Sequence, residues 1–227
     1  MRVRRDFSEN LRATGLPRRS WRPIDYMAIF MVFVSLLLIP VVSNGENLVR
    51  NGDFEEGRHG VPEGWDKVDG KGVFWGEAPG RVGLAIRLDT SVSERDMQSS
   101  WERAGLTNRW SIPKPAGNAI ADTYGLSYYS TNFPCRAGES YRVSCDTMGA
   151  GAVKVWVRGY GEFRGRRVRR YEAVMNVPAS PGKWRTTTMD FNPTARRPEV
   201  DELRVMLYVW YPPGEYWFDN ICVEAIP

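Results

Sequence analysis

The stretch that decides the fold is LRVMLYVW, from Leu203 to Trp210, in which small or branched apolar residues alternate with longer side chains. Strict alternation over eight residues is typical of a β-strand that packs one face against a core. Because successive strand residues point to opposite faces, the odd-numbered residues are expected inside and Arg204, Met206, Tyr208 and Trp210 outside. Large side chains would then share one outer face of a sheet.

Similar short stretches recur from residue 44 to the C terminus, each bounded by Gly, Pro, Asn or Asp. About nine such stretches over roughly 180 residues predict an all-β domain, a sandwich or a barrel. The polar segment 90–126 lacks the alternation and is predicted to be an insertion in that domain. The expected strands are Leu48–Asn51, Val73–Trp75, Leu84–Leu88, Tyr141–Cys145, Val153–Arg158, Arg169–Val174, Trp184–Phe191, Leu203–Trp210 and Tyr216–Ala225.

Two further features precede the domain. Residues 1–25 hold seven arginines and three carboxylates, and residues 26–42 hold no charged side chain. A basic flank before an apolar run predicts a hydrophobic, membrane-targeting helix with the basic tail in the cytoplasm. Residues 44–227 are then expected outside the cytoplasm. Two fates stay open for residues 26–43, a signal anchor or a signal peptide cleaved after Ser43.

Composition excludes several kinds of site. The tail accounts for the whole net charge of +4, so the domain is neutral and is not predicted to bind nucleic acid. Because the sequence has a single histidine, His59, neither a zinc site nor a histidine-dependent triad is predicted. One disulfide could join Cys135 to Cys145, the pair closest in sequence. The alternative is that these two and Cys222 are small buried apolar side chains.

Four groups of residues, in a fixed order, indicate a family. They are Asn47–Glu55 with Pro62–Trp65, Cys135–Ser144, Gly182–Arg185 and Trp217–Val223. Together they resemble the carbohydrate-binding modules of the galactose-binding-like type, across residues 47–227. The resemblance implies a jelly-roll β-sandwich that binds a glycan without catalysing a reaction. It implies no particular sugar.

The resemblance also implies a structural calcium ion, which many members of the family hold where the two ends of the chain meet. Glu55 and Asp219 match the positions of its ligands, and Asp53 is a further candidate. Carboxylates brought together repel each other unless a cation joins them, and calcium prefers such oxygen ligands. The alternative is that these carboxylates accept hydrogen bonds from N–H groups in turns.

Outward aromatic residues on the strands are the candidates for a ligand site, since large apolar patches exposed to water usually mark a binding surface. Sugar rings pack their C–H faces on aromatic planes, and arginine side chains donate hydrogen bonds to the hydroxyl groups. The alternative is that the insertion or the segment 124–133 folds over this face. The expected binding residues are Trp156, Tyr208 and Trp210, flanked by Arg158, Arg204 and Arg87.

The stretch 164–170, with five arginines in seven residues, is a second candidate. It suits a polyanion such as an acidic polysaccharide, or else it is a hairpin tip with its charges in water.

Three functions compete: a glycan-binding module targeted to a membrane, a structural or protein-interaction sandwich, and an enzyme. Carboxylates are available for an enzyme, but none lies in a recognisable catalytic motif. The sequence therefore predicts a non-catalytic, extracytoplasmic carbohydrate-binding domain whose oligomeric state is open. The carboxylates considered are Glu162, Glu172, Asp190 and Asp201.

Overall fold

The computed structural model describes residues 45–93, 95, 96, 99, 118 and 120–227. Residues 44–227 form one compact unit. A five-residue π-helix, Ile120–Tyr124, is followed directly by an edge strand. The strands of the described residues are β1 (Gly57–Arg58), β2 (Val61–Pro62), β3 (Val73–Glu77), β4 (Leu84–Asp89), β5 (Leu126–Tyr129), β6 (Phe133–Pro134), β7 (Ser140–Gly149), β8 (Val153–Phe163), β9 (Arg166–Val177), β10 (Ser180–Phe191), β11 (Val200–Val209) and β12 (Glu215–Ile226).

These strands form two large antiparallel sheets and one small ladder. The first sheet has the order β10-β7-β12-β4-β3, and the second has the order β5-β11-β8-β9, with β6 also paired to β11. The short strands β1 and β2 pair only with each other. The predicted all-β class is therefore confirmed, and the two sheets have the arrangement of a sandwich.

The core lies between the two sheets because alternate residues of each strand point inward. On β8, Val155 and Val157 are fully buried, and on β11 so are Leu203, Val205 and Leu207. The inward residues of β7 and β12 from the first sheet join the same hydrophobic cluster. The inside and outside assignments made from the alternation of β8 and β11 are confirmed at these positions.

The predicted strand Leu48–Asn51 is wrong. The segment consists of bends and turns, although Val49 is buried in the core. The side chain of Asn47 takes the place of a strand neighbour: its Oδ1 accepts hydrogen bonds from the N–H groups of Val49 and Val223, at 3.0 Å each. Asn51 has a φ of 50°, which a β-strand does not accommodate.

Several predicted features lie outside the described residues. These are the basic tail 1–25, the hydrophobic helix expected over residues 26–43 and most of the insertion at 90–126. Among the helices of the residues that the structure describes, none has the length and apolarity needed to cross a membrane.

The cysteines are not joined by a disulfide. All three are free, and Cys135 and Cys145 are buried while Cys222 is partly exposed. The expected pair Cys135–Cys145 is therefore not formed, and the alternative of small buried side chains holds for these two. Burial raises the pKa of the Cys135 thiol to about 11, with a smaller contribution from nearby carboxylates. Such a thiol is unreactive at neutral pH.

Candidate ligand-binding face

Five of the six expected binding residues lie on one outer face of the second sheet, which we call the aromatic face. Trp156 and Arg158 are outward residues of β8, and Arg204 and Tyr208 are outward residues of β11. Trp210 follows β11 directly and stacks on Tyr208, with ring centroids 5.6 Å apart and an interplanar angle of 21°. The aromatic face comprises these five residues and the neighbours that the sheet register places beside them.

The register arranges the aromatic face in three rows that cross the strands. Residues two apart along a strand are about 7 Å apart, and neighbouring strands are about 4.8 Å apart. A ligand lying along the strands would therefore meet the three rows in turn. The polar row is Ser127, Tyr208, Lys154 and Asn176; the apolar row is Tyr129, Met206, Trp156 and Val174; the charged row is Arg204, Arg158 and Glu172.

The rings of the aromatic face are partly exposed at Trp156 and Tyr129 as well as at its Tyr208–Trp210 end. Met206, although its register places it on the outer side, is only 4 % exposed. The indole nitrogen of Trp156 is also buried, and it has no hydrogen-bond acceptor among the described residues. Tyr208 and Trp210 are both partly exposed, so a ligand ring meets them rather than Met206.

The segment 124–133 extends the sheet and does not fold over it. Its strand β5 pairs with β11 through Leu126–Val209 and Tyr129–Met206 and becomes the edge of the second sheet. The turn before β5 contacts Tyr208, whose hydroxyl donates to the carbonyl of Tyr124 at 3.2 Å. The alternative that the segment 124–133 covers the aromatic face is therefore wrong. The alternative that the insertion covers it is not tested, because most of the insertion lies outside the described residues.

Both arginines of the aromatic face have carboxylate partners. Arg158 donates from Nε to Glu172 at 3.0 Å, and its guanidinium lies 5.8 Å from the ring of Trp156. Arg204 donates from Nη2 to Asp66 at 2.9 Å and from Nε to the carbonyl of Ser130 at 2.6 Å. These bonds hold the two guanidinium groups in place, and Glu172 also pairs with Arg169 at 3.3 Å.

Arg87 is not part of the aromatic face. It lies on β4 of the first sheet, where it is ion-paired with Glu215. Its guanidinium stacks on the ring of Phe74 at 4.2 Å. Arg87 therefore lies on the outer surface of the first sheet. The structure does not bring it together with Trp156, Tyr208 and Trp210.

The three candidate calcium ligands have separate surroundings. Oε1 of Glu55 accepts the N–H of Leu84 at 2.8 Å, as the alternative interpretation expects, and Asp53 is exposed. Oδ2 of Asp219 lies 3.1 Å from Nη1 of Arg81. Among the described residues, no group of three or more His, Cys, Asp or Glu side chains is arranged to hold a metal ion. Calcium binding at Asp53, Glu55 and Asp219 stays a prediction.

Arg81 brings two carboxylates of the first sheet together. Its Nη1 contacts Asp146 at 2.9 Å as well as Asp219, and its guanidinium lies 3.9 Å from the ring of Trp184. Burial raises the pKa of Asp219 above its ordinary value. Burial acts on the pKa of Asp146 in the same direction, but hydrogen bonds from Thr186, Asn220 and Arg81 outweigh it, so that pKa is lowered. This cluster fastens the loop between β3 and β4 to the sheet.

An open depression of about 420 Å³ lies beside the bulge of β12. Asn51, Asp53 and Asn220 are among the residues that line it, and no aromatic side chain does. It therefore offers hydrogen-bonding groups but no plane on which a sugar ring could stack.

The arginine-rich stretch 164–170 forms the tip and flank of the β8–β9 hairpin, as the second of its two interpretations predicts. Arg164 and Gly165 have φ values of 52° and 73° and make the tight turn of the hairpin. Arg167 pairs with Asp201 at 2.6 Å, and Arg170 pairs with Glu199 at 2.7 Å. Much of the charge of this stretch is thus neutralised within the protein.

Three of the four carboxylates considered for catalysis, Glu172, Asp190 and Asp201, are engaged with arginines. Asp190 accepts two hydrogen bonds from Arg142, which lower its pKa, whereas a general acid needs a raised pKa. Glu172 and Asp201 are the ion-pair partners of Arg158 and Arg167. These contacts give the carboxylates a structural role.

Sequence reasoning did not select Lys154 and Tyr129. Lys154 is an outward residue of the same alternating strand as Trp156, so its position was readable from the pattern. Tyr129 belongs to β5, which was not predicted because its four residues, LSYY, are too few to show alternation.

No family model matches the chain, and neither does any curated protein sequence. Solved structures do: the enzymatically active domain of tailspike protein 4 of bacteriophage CBA120 is 12% identical, with a TM-score of 0.51 over 79% of this chain. The chain spans about a fifth of that tailspike chain, 21%. At this identity the similarity shows the fold alone.

Carbohydrate-binding modules recur among the similar structures. A family 16 module is 14% identical over 78% of this chain and 99% of its own, with a TM-score of 0.48. The module TmCBM61, solved in complex with β-1,4-galactotriose, is 15% identical over 79% of this chain and 99% of its own, with a TM-score of 0.44. These are modules of the kind that the sequence resembles, but at TM-scores below 0.5 the similarity carries no argument about fold or function.

Proposed function

We propose that the domain of residues 44–227 binds carbohydrate without catalysing a reaction, and that its binding site is the aromatic face. The observation that carries the proposal is the stack of Tyr208 and Trp210 beside Trp156 and Lys154 on an otherwise regular sheet surface. Interior packing does not require aromatic rings at these positions, because the inward residues of β8 and β11 already form the core.

The three rows of the aromatic face have the groups that a sugar needs. A pyranose ring has an apolar C–H face and a rim of hydroxyl groups, so it binds best where an aromatic plane has polar groups beside it. The stacked rings supply the plane, and Lys154 and Asn176 in the polar row supply donors and an acceptor. Arg158 and Arg204, held by their carboxylates, are already oriented, which reduces the entropy lost on binding.

The same proposal includes export of the domain. Its support is the order of a basic tail, residues 1–25, and an uncharged apolar run, residues 26–42. A glycan-binding domain placed outside the cytoplasm in this way would meet its ligand at the cell surface, either anchored by residues 26–43 or released after Ser43.

Affinity electrophoresis of residues 44–227 through gels that contain polysaccharides, together with a glycan array, tests the proposal. Trp210→Ala and Trp156→Ala should lose retardation while their far-UV circular dichroism stays that of the parent. Trp217→Ala is the matched control, because Trp217 is a partly exposed tryptophan of the first sheet. Repeating the gels with calcium and with a chelator tests the predicted ion at Asp53, Glu55 and Asp219.

If the folded domain is retarded by no glycan, the proposed function is wrong. The alternative function, a structural or protein-interaction domain, would then be tested by cross-linking the chain to its neighbours in membranes. Equal loss of retardation in Trp210→Ala and Trp217→Ala would mean that binding does not use the aromatic face.

A further inference from the structure

We propose that the ligand of the aromatic face is an anionic glycan and that Lys154 pairs with a uronate carboxylate of its sugar. This inference rests on the proposed function, since it names the class of glycan for the same site. The cationic side chains of the aromatic face differ in whether they have an ion-pair partner.

Lys154 differs from the other cations of the aromatic face. Arg158 and Arg204 are each ion-paired, with Glu172 and Asp66 respectively. In the part of the chain that the structure describes, no carboxylate oxygen lies within 4.0 Å of Nζ of Lys154. Lys154 is therefore the cation of the aromatic face that the described residues leave without a carboxylate contact.

The neighbours of Lys154 are neutral on both sides. Its register partners are Tyr208 on β11 and Asn176 on β9. Its ammonium group lies 5.3 Å from the ring centroid of Trp210 and 5.9 Å from that of Trp156. Contacts with two indole rings remove part of the hydration of the ammonium group without supplying a negative charge. A carboxylate would be attracted to this position more strongly than a hydroxyl group would.

The position of the charge fits a sugar that stacks on the aromatic end of the face. The ammonium group lies over the Trp210 ring, 5.3 Å from its centroid, so a sugar that contacts the exposed part of that indole would place its substituents near Nζ. A uronate carries its carboxylate directly on the sugar ring, and thus at the edge of the stacked plane. The ion pair and the stacking contact can therefore form at the same time.

The test compares each acidic polysaccharide with its own carboxyl-reduced form, in which a neutral hydroxymethyl group replaces each carboxylate. Polygalacturonate, alginate and hyaluronate are used as probes, with dextran sulfate as the sulfate arm. The protein is the compact unit of residues 44–227, which omits the arginine-rich tail that would attract any polyanion. Affinity electrophoresis and calorimetry at low and physiological salt give the dissociation constants.

Lys154→Gln keeps a hydrogen-bonding side chain and removes the charge. We expect it to weaken binding of at least one uronate polymer about tenfold, the effect of losing one charged hydrogen bond, and to leave the carboxyl-reduced form unchanged. Lys154→Arg should restore most of the affinity. The control, Arg164→Gln with Arg166→Gln, removes two charges at the hairpin tip, away from the aromatic face, and should have little effect.

The outcomes separate the two proposals. Binding of neutral or carboxyl-reduced glycans as tightly as acidic ones overturns the inference and leaves the proposed function standing. Equal losses by Lys154→Gln on both forms would make the lysine a neutral donor or a structural residue. Binding of dextran sulfate alone would overturn the assignment to carboxylate. No binding of any glycan by the folded domain would remove the proposed function itself.

Discussion

The buried indole nitrogen of Trp156 leads to an unusual expectation: replacing this tryptophan by phenylalanine should not destabilise the protein. A buried donor without an acceptor costs about 1–3 kcal/mol, and this donor has none among the described residues. Phenylalanine removes the donor and keeps an aromatic ring at the same place. The smaller ring loses roughly 40 Å² of apolar contact, or about 1 kcal/mol at 25 cal/mol per Å².

The two terms set the expected range. Trp156→Phe should have a free energy of unfolding between that of the parent and a value about 2 kcal/mol higher. Trp156→Ala loses the ring as well, and because Trp156 is only partly buried we expect a loss of about 2 kcal/mol, less than for a fully buried tryptophan.

Urea unfolding of residues 44–227, followed by far-UV circular dichroism, measures these differences without depending on tryptophan fluorescence. Trp210→Phe is the control, since its indole nitrogen is not a buried, unpartnered donor, and it should lose about 1 kcal/mol from contact area alone. A loss of 2 kcal/mol or more in Trp156→Phe would refute the reasoning. It would mean that the N–H group is hydrogen-bonded in the native protein.

The thiol of Cys222, the most accessible of the three, should react first with a thiol reagent in the native protein. After unfolding, three reactive thiols should be counted, and a count of one reactive thiol would reveal a disulfide. The lowered pKa of Asp146 means that its contribution to stability is present above about pH 4 and is lost as the pH falls through the folded-state pKa. Unfolding free energies of the parent and Asp146→Asn should therefore converge below about pH 4, and a constant difference would contradict this. Gly52→Ala should lose about 1–3 kcal/mol in urea unfolding, because its Cβ would lie 1.8 Å from the carbonyl oxygen of Ile221; an unchanged midpoint would show that the turn can move. The full chain should sediment with membranes through residues 26–42, and deletion of residues 1–43 should release it; sedimentation of both would assign membrane association to the domain.

Most of the strands could be predicted because the alternation of side chains is a local property. The long strands β8 and β11 show it over many residues, and the structure confirms both the strands and the residues that face inward. The strand predicted at Leu48–Asn51 failed because one side chain, that of Asn47, bonds to backbone groups 174 and 176 residues away. No local pattern contains that information.

The candidate site was predictable only in part, for a related reason. Arg87 and Arg158 have the same local setting, an arginine that follows a branched apolar residue in an alternating stretch. The first lies on β4 and the second on β8, which belong to different sheets. The pairing of strands decides which outward residues share a face, and pairing depends on hydrogen bonds between segments distant in sequence.

The sequence by itself determined the β class of the domain, the direction of most side chains and the neutral charge of residues 44–227, because each depends on composition or on a two-residue period. Only the tertiary structure decided that Arg87 lies on the other sheet and that Arg158 and Arg204 pair with Glu172 and Asp66. It also decided that Lys154 lies near two indole rings with no carboxylate partner among the described residues. These are relations between strands, and strand order, register and burial arise only when the sheets pack together.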